Sequence, residues 1–501
     1  MEVMSREGCK EIDRYTIEEI GIQSLVLMEN AAKEVTDRVV NLGNKFIIFC
    51  GSGNNGGDGL AIARKLLLEN KDVYIVIVSE KDNYSKDFLV NYKILMKLTT
   101  NILYLKNTKD IEKLNEVLNK YEVVLDCIFG VGLNRVLDEF YIKVINFINE
   151  KSKFIISVDV PSGLNANNGE VMGASIVANI TYSFEVIKRG FIEYKALKYL
   201  GNLEILNIGI PEFVKKMNSE RVFILDREEY GRLLKKRSAY GHKGNYGKVA
   251  ILAGSEGYTG AAFIATEACV RAGAGLTTLV STKYVQDKLS SKLVEAMITN
   301  IDSKDRLKEL FEKVNVVTIG PGIDNEKRYK ELLINLIRYK NKLFVIDAGA
   351  FNLIKDNKEI MDVLKGRAIF TPHPGEMARL IDKSIDYVED NRIDVASKFA
   401  KENEVIVLLK GYNTIITNGD DIYINRTGNS KMASGGMGDC LTGIISALLA
   451  QGHSLIDSSL LGAYIHGLAG ELASADKYST VASEVIENIS KVMNNIWINF
   501  K

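Results

Sequence analysis

The stretch KFIIFCGSGNNGGDGLAIARKLL, residues 45–67, decides the fold of the first half of the chain. Its opening apolar run predicts a buried strand, and the apolar residues from Leu60 onward recur at helical spacing. The glycine-rich turn between them would lie at the carboxyl edge of a parallel sheet, where such folds bind ligands. We therefore predict an α/β unit with a binding site at residues 51–59.

Short β-branched runs alternate with amphipathic stretches on both sides of this segment, which predicts a doubly wound parallel sheet. In the first half these runs lie at 45–50, 73–79, 122–130, 154–160, 178–184 and 203–210. A second α/β series begins at GKVAILAGS, 247–255, and ends with helical patterns near 437–450, 457–477 and 483–496. The charged, weakly patterned stretch 211–239 is interpreted as the connection.

The chain has 501 residues, which is more than one hydrophobic core usually organises. We expect two domains, 1–215 and 225–501. Lysine plus arginine equal aspartate plus glutamate at 64 each, so the balance favours neither a nucleic-acid nor a membrane partner.

The five cysteines are scattered and mostly set in apolar runs, so we interpret them as reduced core thiols rather than as disulfide partners or metal ligands. The first residues lack the basic-then-apolar layout of a secretory signal. No apolar run approaches the roughly 18 residues that span a bilayer. A soluble, cytoplasmic protein is expected.

The glycine-rich turn at 51–59 favours binding of a phosphate, because closely spaced backbone amides and a helix N-terminus both attract anions. Asn54, Asn55 and Asp58 add oxygens that suit ribose hydroxyls or a cation. The spacing matches neither the dinucleotide fingerprint GxGxxG nor a Walker loop. A purely structural tight turn is the alternative.

Two further strand ends carry polar residues that should converge on the same crevice. EVVLDCIFGVGLNR, 122–135, places Asp126 before a glycine-rich loop, and FIISVDVPSGLNANNG, 154–169, places Asp159 and Ser162 at the next strand end. Asp159 is either a salt-bridged structural acid or a rigidly held general acid/base. Asn55, Asp126 and Ser162 offer only hard oxygen ligands, which favours an alkali or alkaline-earth ion over zinc.

NNGGDGL, DCIFGVGLNR and VDVPSGLNANNG resemble the signature segments of the YjeF N-terminal family, the NAD(P)H-hydrate epimerases, over about residues 1–215. The resemblance implies a Rossmann-like domain with Asp159 as the catalytic residue and potassium at Asn55, Asp126 and Ser162. The implied substrate-binding residues are Asn54, Asn55, Gly56, Gly57, Asp58, Gly130, Val131, Gly132, Leu133, Asn134, Arg135, Val136, Tyr141 and Asp159.

The second half carries its own glycine-rich turn, SGGMGDCLTGIISALLAQG at 434–452, with Asp439 in the first turn of the following helix. The backbone amides of this turn suit an anion hole, and the carboxylate of Asp439 suits a base beside it. The alternative is that Asp439 only complements the helix dipole. His373, between two prolines in FTPHPGEMARL, is the better functional candidate among the four histidines. Lys410 is either a nucleotide contact or a solvated turn lysine, and His242 either a phosphate contact or plain surface.

GNYGKVAILAGS, GPG, TPHPGE, KGYNT and SGGMGD are similar to the carbohydrate kinase-like YjeF C-terminal family, the ADP- or ATP-dependent NAD(P)H-hydrate dehydratases, over about 225–500. This implies a ribokinase-like domain with Asp439 as the catalytic base. The implied substrate contacts are Ala262, Gly322, His373 and Asp439. The implied nucleotide contacts are Lys410, Gly411, Tyr412, Asn413, Thr414, Asn429, Ser430, Lys431, Met432, Ala433, Ser434, Gly435, Gly436, Met437 and Gly438. Gly349 and Met437 depart from the family pattern.

Together the two resemblances imply metabolite repair of hydrated NADH and NADPH. The first half would epimerise the R and S hydrates, and the second would dehydrate the S hydrate with ADP or ATP and magnesium. We also expect a homo-oligomer. A vitamin-precursor kinase in the second half, or a scaffolding module in the first, remains as an alternative.

Overall fold

The computed structural model describes residues 1–81, 83–115, 117–324, 326–355 and 357–498. The chain divides into two compact units, Met1–Val222 and Phe223–Lys501. The expected domain limits at 215 and 225 lie on either side of this division.

The first unit contains nine strands and seven α-helices among its described residues. The strands are β1 (Val3–Met4), β2 (Lys45–Cys50), β3 (Asp72–Val78), β4 (Ile102–Leu105), β5 (Val123–Cys127), β6 (Ile155–Val158), β7 (Ile180–Phe184), β8 (Ile187–Lys188) and β9 (Asn202–Leu206). The helices are α1 (Arg6–Glu18), α2 (Ser24–Val39), α3 (Asn54–Leu68), α4 (Lys86–Leu95), α5 (Glu139–Lys151), α6 (Leu197–Leu200) and α7 (Glu212–Met217).

Seven of these strands form one sheet in the order β4-β3-β2-β5-β6-β7-β9, with every pairing parallel. The predicted doubly wound sheet is therefore confirmed. The strand order reverses between β2 and β5, and ligands bind outside the carboxyl ends of the strands at such a switch point. The glycine-rich turn follows β2, and the loop containing Gly130 follows β5.

A separate two-stranded pairing attaches the N-terminal segment to this unit. Val3 pairs with Ile187 and Met4 with Lys188, in parallel. Ser5 then caps α1, its hydroxyl accepting a hydrogen bond from the Gly8 N–H. This pairing joins residues that are distant in sequence, and the periodicity of the sequence does not predict it.

The second unit contains ten strands and thirteen α-helices among its described residues, counting β10 at the boundary. The strands are β10 (Val222–Phe223), β11 (Lys248–Leu252), β12 (Leu276–Ser281), β13 (Met297–Asn300), β14 (Val316–Ile319), β15 (Leu343–Ile346), β16 (Ala368–Phe370), β17 (Ile406–Leu409), β18 (Thr414–Thr417) and β19 (Ile422–Asn425). The helices are α8 (Arg227–Leu233), α9 (Thr259–Arg271), α10 (Lys283–Leu289), α11 (Lys304–Lys313), α12 (Glu326–Leu336), α13 (Ala350–Ile354), α14 (Lys358–Leu364), α15 (Pro374–Leu380), α16 (Ile385–Asp390), α17 (Arg392–Asn403), α18 (Met437–Ala450), α19 (Leu455–Ala473) and α20 (Ala482–Ile498).

The strands of this unit form one sheet in the order β10-β19-β18-β17-β16-β15-β14-β11-β12-β13. The pairings from β13 to β17 are parallel, and β17, β18 and β19 are antiparallel to one another in succession. Helices α9, α18, α19 and α20 cover the sheet and contribute much of its largest apolar core. The carboxyl ends of β15, β16 and β17 and the N-terminus of α18 bring the second set of predicted residues together.

The stretch 211–239, interpreted as a connection, contains α7, β10 and α8. Asp226 and Glu229 form a reciprocal capping box at α8. These elements are short, so their stability depends on packing that local periodicity does not reveal.

All five cysteines are free and buried, as expected: Cys9, Cys50 and Cys127 in the first unit, Cys269 and Cys440 in the second. Within the described residues, no helix is long and apolar enough to cross a bilayer.

Candidate active sites

A cavity of about 560 Å³ lies at the switch point of the first sheet. Eleven of the predicted residues line it: Asn54, Asn55, Asp58, Gly130, Val131, Gly132, Leu133, Asn134, Arg135, Tyr141 and Asp159. Gly56 and Gly57 lie buried behind this wall, and Val136 is exposed to solvent. The carboxyl ends of β2, β5 and β6 therefore meet at one site, as predicted.

The glycine-rich turn owes its shape to one close backbone approach. A Cβ atom at Gly56 would lie 1.8 Å from the Gly51 carbonyl oxygen. This clash could not be avoided without a shift of the backbone, because the oxygen belongs to the main chain. This contact allows α3 to begin directly after β2, with its N-terminal amides at the cavity.

Asp126 is fully buried at the end of β5 and accepts four hydrogen bonds. Its donors are the Ser157 hydroxyl, the Ile128 N–H, and the N–H and hydroxyl of Ser162. Burial raises the pKa of Asp126, and these hydrogen bonds oppose that rise. Such a carboxylate is a rigid hard-oxygen group, suited to an alkali cation.

The side-chain amide of Asn55 is buried, and neither its oxygen nor its nitrogen has a hydrogen-bond partner among the described residues. A buried polar group without a partner is costly and calls for a ligand. Asn55, Asp126 and Ser162 therefore fit the predicted cation on chemical grounds. All three offer oxygen donors only.

Asp159 is held in an unusual backbone conformation, with φ of 67°. Its Oδ1 lies 3.0 Å from Lys188 Nζ, and its Oδ2 accepts a 2.8 Å hydrogen bond from the Val131 N–H. Left-handed backbone at a non-glycine residue is typical of functional sites. Asp159 is ion-paired and also lines the cavity, so its role as a general acid/base stays a prediction.

The charged residues of this cavity that the sequence did not predict include Lys188 and Asp13. Lys188, with a side chain only 3% exposed, donates to the Phe184 carbonyl as well as to Asp159. Asp13 reaches the cavity from α1. Neither lies beside a glycine-rich motif, so the sequence carried no local signal for them.

The second site is a cleft of about 420 Å³ in the second unit. It is lined by Asp347, Ala348, His373, Pro374, Lys410, Gly411, Gly436, Gly438 and Asp439. Four separate segments are thus brought together, and six of the nine lining residues belong to the predicted set.

Asp439 lies in the first turn of α18, which begins after Gly436 with φ of 87°. Burial and the nearby carboxylates of Asp347 and Glu376 raise the pKa of Asp439 to about 7, although Lys410 opposes the rise. A carboxyl group with a pKa near neutrality is suited to proton transfer. A role limited to complementing the helix dipole would not explain why Asp439 is buried beside the carboxylates of Asp347 and Glu376.

Lys410 is not a solvated turn lysine. Its Nζ lies 2.8 Å from Asp347 Oδ1 and 3.8 Å from Glu376 Oε2, and its side chain is 19% exposed. Asp347 is buried and also accepts a hydrogen bond from the Thr442 hydroxyl on α18. No pattern in the sequence points to Asp347, which connects Lys410 to helix α18.

His373 caps the N-terminus of α15, and its Nδ1 accepts a hydrogen bond from the Gly375 N–H. Burial and the charge of Lys410 lower its pKa, so the ring is neutral at pH 7 with Nε2 as its N–H donor. Its side chain is half exposed at the cleft.

The remaining predicted residues surround the cleft rather than line it. Ala262 is fully buried in α9, and Gly322, with φ of 64°, lies against Tyr258. Tyr412, Asn413 and Thr414 form the turn into β18. The loop 429–435, predicted to bind nucleotide, packs on the end of α19, with Asn429 Nδ2 donating to the Ser474 hydroxyl.

The two departures from the family pattern are accommodated. A Cβ atom at Gly349 would lie 2.5 Å from the Ile323 carbonyl, so a larger residue would require a local shift. Met437 packs against the apolar core of this unit. His242 is exposed and caps the short turn Lys243–Tyr246 before β11. The adjoining Lys243 lies beside Gly275, and Gly247 lies against Ala450 at the C-terminal end of α18, so this turn is at the opposite end of that helix from the cleft.

Two family models match the chain. Residues 24–190 match the YjeF-related protein N-terminus, and residues 249–491 match NAD(P)H-hydrate dehydratase. The bifunctional NAD(P)H-hydrate repair enzyme of Moorella thermoacetica is 34% identical, over 97% of this chain and 95% of its own. The chain belongs to the bifunctional NAD(P)H-hydrate repair enzymes.

Other comparisons agree with this assignment. The bifunctional NAD(P)H-hydrate repair enzyme of Dictyoglomus turgidum is 31% identical, with 99% of each chain covered. A solved ribokinase-like superfamily protein from Enterococcus faecalis is 26% identical with a TM-score of 0.52, covering 55% of this chain and 97% of its own. The ribokinase-like fold expected for the second unit of this repair enzyme is confirmed.

Proposed function

We propose that the chain repairs hydrated NADH and NADPH, with epimerisation at the first cavity and ADP- or ATP-dependent dehydration at the second. The observation that carries this proposal is the pair of glycine-lined clefts, one in each unit, each with a constrained carboxylate at its mouth. Relatives that match nearly the whole chain are named bifunctional NAD(P)H-hydrate repair enzymes. A module that serves only as a scaffold would not need the buried ion pair of Asp159 and Lys188 at this cavity.

In the first site, Asp159 would exchange a proton with the hydroxyl group that leaves and returns during epimerisation. The residues Asn54 to Asp58 and Gly130 to Val136, with Tyr141, would bind the hydrated cofactor. Potassium would be held by Asn55, Asp126 and Ser162, where a cation would satisfy the unpaired amide oxygen of Asn55. When bound, it supplies positive charge that attracts the substrate's phosphates.

In the second site, Asp439 would accept the proton of the substrate hydroxyl as that oxygen attacks the terminal phosphoryl group of the nucleotide. Lys410 and the amides of Gly435 to Gly438 would stabilise the charge on the phosphoryl oxygens. The ring nitrogen then expels phosphate, and loss of a neighbouring ring proton restores the dihydropyridine.

Magnesium would enter this cleft with the nucleotide. The described residues contain no cluster of three or more metal-ligating side chains, so the phosphate oxygens would supply most of its ligands. Among the described carboxylates at the cleft, Asp439 has no ion pair, whereas Asp347 and Glu376 face Lys410. When bound, magnesium neutralises charge on the transferred group.

Free, buried thiols are compatible with a reducing compartment, and we place the reaction in the cytoplasm. We also expect a homo-oligomer, which sedimentation or light scattering would measure.

The proposed function is tested by incubating chemically hydrated cofactor with the protein and ADP or ATP. We expect the near-ultraviolet band of the reduced nicotinamide to return. A stable phosphorylated product without that band would instead identify a kinase.

Two variants assign the steps to the two sites. Asp159→Asn should abolish epimerisation and preserve dehydration of the S hydrate, and Asp439→Asn should do the reverse. Asparagine is the appropriate replacement for Asp159 because it tolerates the left-handed backbone, whereas alanine would add strain to the loss of charge. Full epimerisation by Asp159→Asn would contradict the assignment.

A further inference from the structure

A carboxyl group with no role so far, that of Asp13, lines the same cavity as Asp159. It lies on α1, on the helix face that carries the buried residues Cys9 and Ile12. Glu11 and Arg14, on the other face, form an exposed ion pair. Asp13 therefore belongs to the wall of the cavity and not to the solvated side of the helix.

The position of Asp13 depends on the two-stranded pairing at the start of the chain. Because Met4 pairs with Lys188, the first turn of α1 is attached to the strand that supplies the partner of Asp159. Glu220 adds to this attachment by accepting hydrogen bonds from the N–H and the hydroxyl of Ser5. A carboxyl group nine residues after Met4 is thereby carried into the cavity.

Asp13 differs from Asp159 in its contacts. Among the described residues it has no hydrogen bond and no cationic nitrogen within 4.0 Å. Burial raises the pKa of Asp13 to about 7, with Lys188 lowering it and Asp159 and Glu185 raising it. The titratable groups that act on it electrostatically are Lys188 on β8, Asp159 after β6, Glu185 after β7, Asp58 on α3 and Cys9 on its own helix. At neutral pH, Asp13 is present in both its protonated and its ionised form.

Asp159 has both of its oxygens engaged, one by the Lys188 ammonium and one by the Val131 N–H. An ion pair with an ammonium group requires the carboxylate form. The cavity thus holds one carboxyl that can donate a proton and one that can accept a proton, and they come from different structural elements.

We propose that Asp13 is a second catalytic residue of the epimerase cavity, paired with Asp159 so that one carboxyl serves the departing hydroxyl group and the other serves the incoming water. This inference rests on the proposed function and deepens its first step. Epimerisation exchanges the hydroxyl between the two faces of one ring carbon, and two separate acid/base groups suit that exchange.

The step balances in protons and electrons. Asp13 donates its proton to the hydroxyl, the carbon–oxygen bond breaks, and water leaves while the lone pair of the ring nitrogen forms a carbon–nitrogen double bond. Water then adds to the other face of the carbon and gives a proton to Asp159. One proton has moved from Asp13 to Asp159, solvent returns it, and the reverse reaction exchanges the two roles.

The test compares Asp13→Asn with Glu11→Gln, which removes a carboxylate from the exposed face of the same helix. Epimerisation is followed by chromatography of the two hydrates without nucleotide, in the full-length protein. We expect Asp13→Asn to lower kcat by about 100-fold or more with little change in KM, which is the range for loss of a general acid/base. Glu11→Gln should retain the wild-type rate, and Asp13→Glu should recover part of it.

Two outcomes separate the possible failures. If the wild-type protein does not epimerise, the proposed function is wrong. If it does, and Asp13→Asn keeps kcat within about threefold, Asp13 has no catalytic role while the proposed function stands. Resistance of the three buried thiols of the first unit, Cys9, Cys50 and Cys127, to alkylation in each variant checks that this unit is folded.

Two measurements on the wild-type protein remain decisive should Asp13→Asn fail to fold. Epimerisation in isotopically labelled water should place the label in the product hydroxyl, and retention of the original oxygen would overturn the inference. The wild-type kcat should also decline as pH rises above about 7, because Asp13 then loses its proton. A rate that is constant from pH 6 to pH 9 would count against Asp13 as the acid.

Discussion

The carboxyl group of Asp439 lies in a cleft that disfavours its charge. Its pKa is raised to about 7 by burial and by Asp347 and Glu376, against the opposing effect of Lys410. A raised pKa in the folded state means that folding binds the proton. The stabilising contribution is complete below the unfolded pKa of about 4 and is lost as pH rises through about 7.

We therefore expect Asp439→Asn to abolish dehydration and also to stabilise the second unit at pH 8. One pKa unit corresponds to about 1.4 kcal/mol, so the gain should be ~2–4 kcal/mol, a few degrees in Tm. The gain should shrink as pH falls toward 4. Thermal unfolding at pH 8 and pH 5 measures it.

Asp287→Asn is the matched control, because Asp287 is exposed and ion-paired with Lys283. Its effect on Tm should be small at both pH values. An equal or larger gain for Asp439→Asn at pH 5 than at pH 8 would contradict the argument.

Among the site residues, those that the sequence predicted and those that it missed differ in a physical way. Asp159 and Asp439 adjoin apolar strands or helices and glycine-rich turns, so local patterns alone place them at a sheet edge. Asp13 and Lys188 reach the cavity through a pairing of residues 3–4 with residues 187–188. No local pattern encodes a contact over such a distance.

At the scale of the element, the junction of β2 and α3 depends on Gly56. We expect Gly56→Ala to destabilise the first unit by about 2–3 kcal/mol, because its Cβ would overlap the Gly51 carbonyl oxygen. Gly53→Ala is the control in the same turn. No atom lies within 4 Å of its added Cβ, so its effect on stability should be below about 0.5 kcal/mol.

Urea or thermal unfolding of the two variants measures the difference. Equal stabilities would mean that the turn does not need the close approach at Gly56.

The sequence predicted the long elements better than the short ones. β2 and α18 have the bounds expected from the apolar runs at 45–50 and 437–450. The strands β4 and β13, at the edges of their sheets, and the antiparallel β18 and β19 were not predicted as strands. Short edge strands bury few side chains, and pairing with a neighbour determines their structure more than their own composition does.

At the scale of the whole molecule, each unit has hydrophobic cores of its own. We expect a fragment of residues 1–221 to epimerise and a fragment of residues 222–501 to dehydrate, each with kcat close to that of the intact chain. Division after Arg221 keeps Glu220 with Ser5 and leaves β10 with the second sheet. Assays of the purified fragments, alone and mixed, measure this.

A fragment of residues 1–215 is the informative comparison. It lacks Ser219 and Glu220, whose side chains bond Glu2 and Ser5 and so hold the N-terminal segment. Its epimerase activity should be lower than that of 1–221. Equal activities would show that this attachment does not matter to the cavity.

The five buried thiols can report which part of the molecule has unfolded. Burial raises the pKa of Cys9 and of Cys269 to about 12, so alkylating reagents would find almost no thiolate in the native chain. Three thiols belong to the first unit and two to the second. The mass gained on alkylation would therefore distinguish, in one spectrum, which half has unfolded at a given temperature.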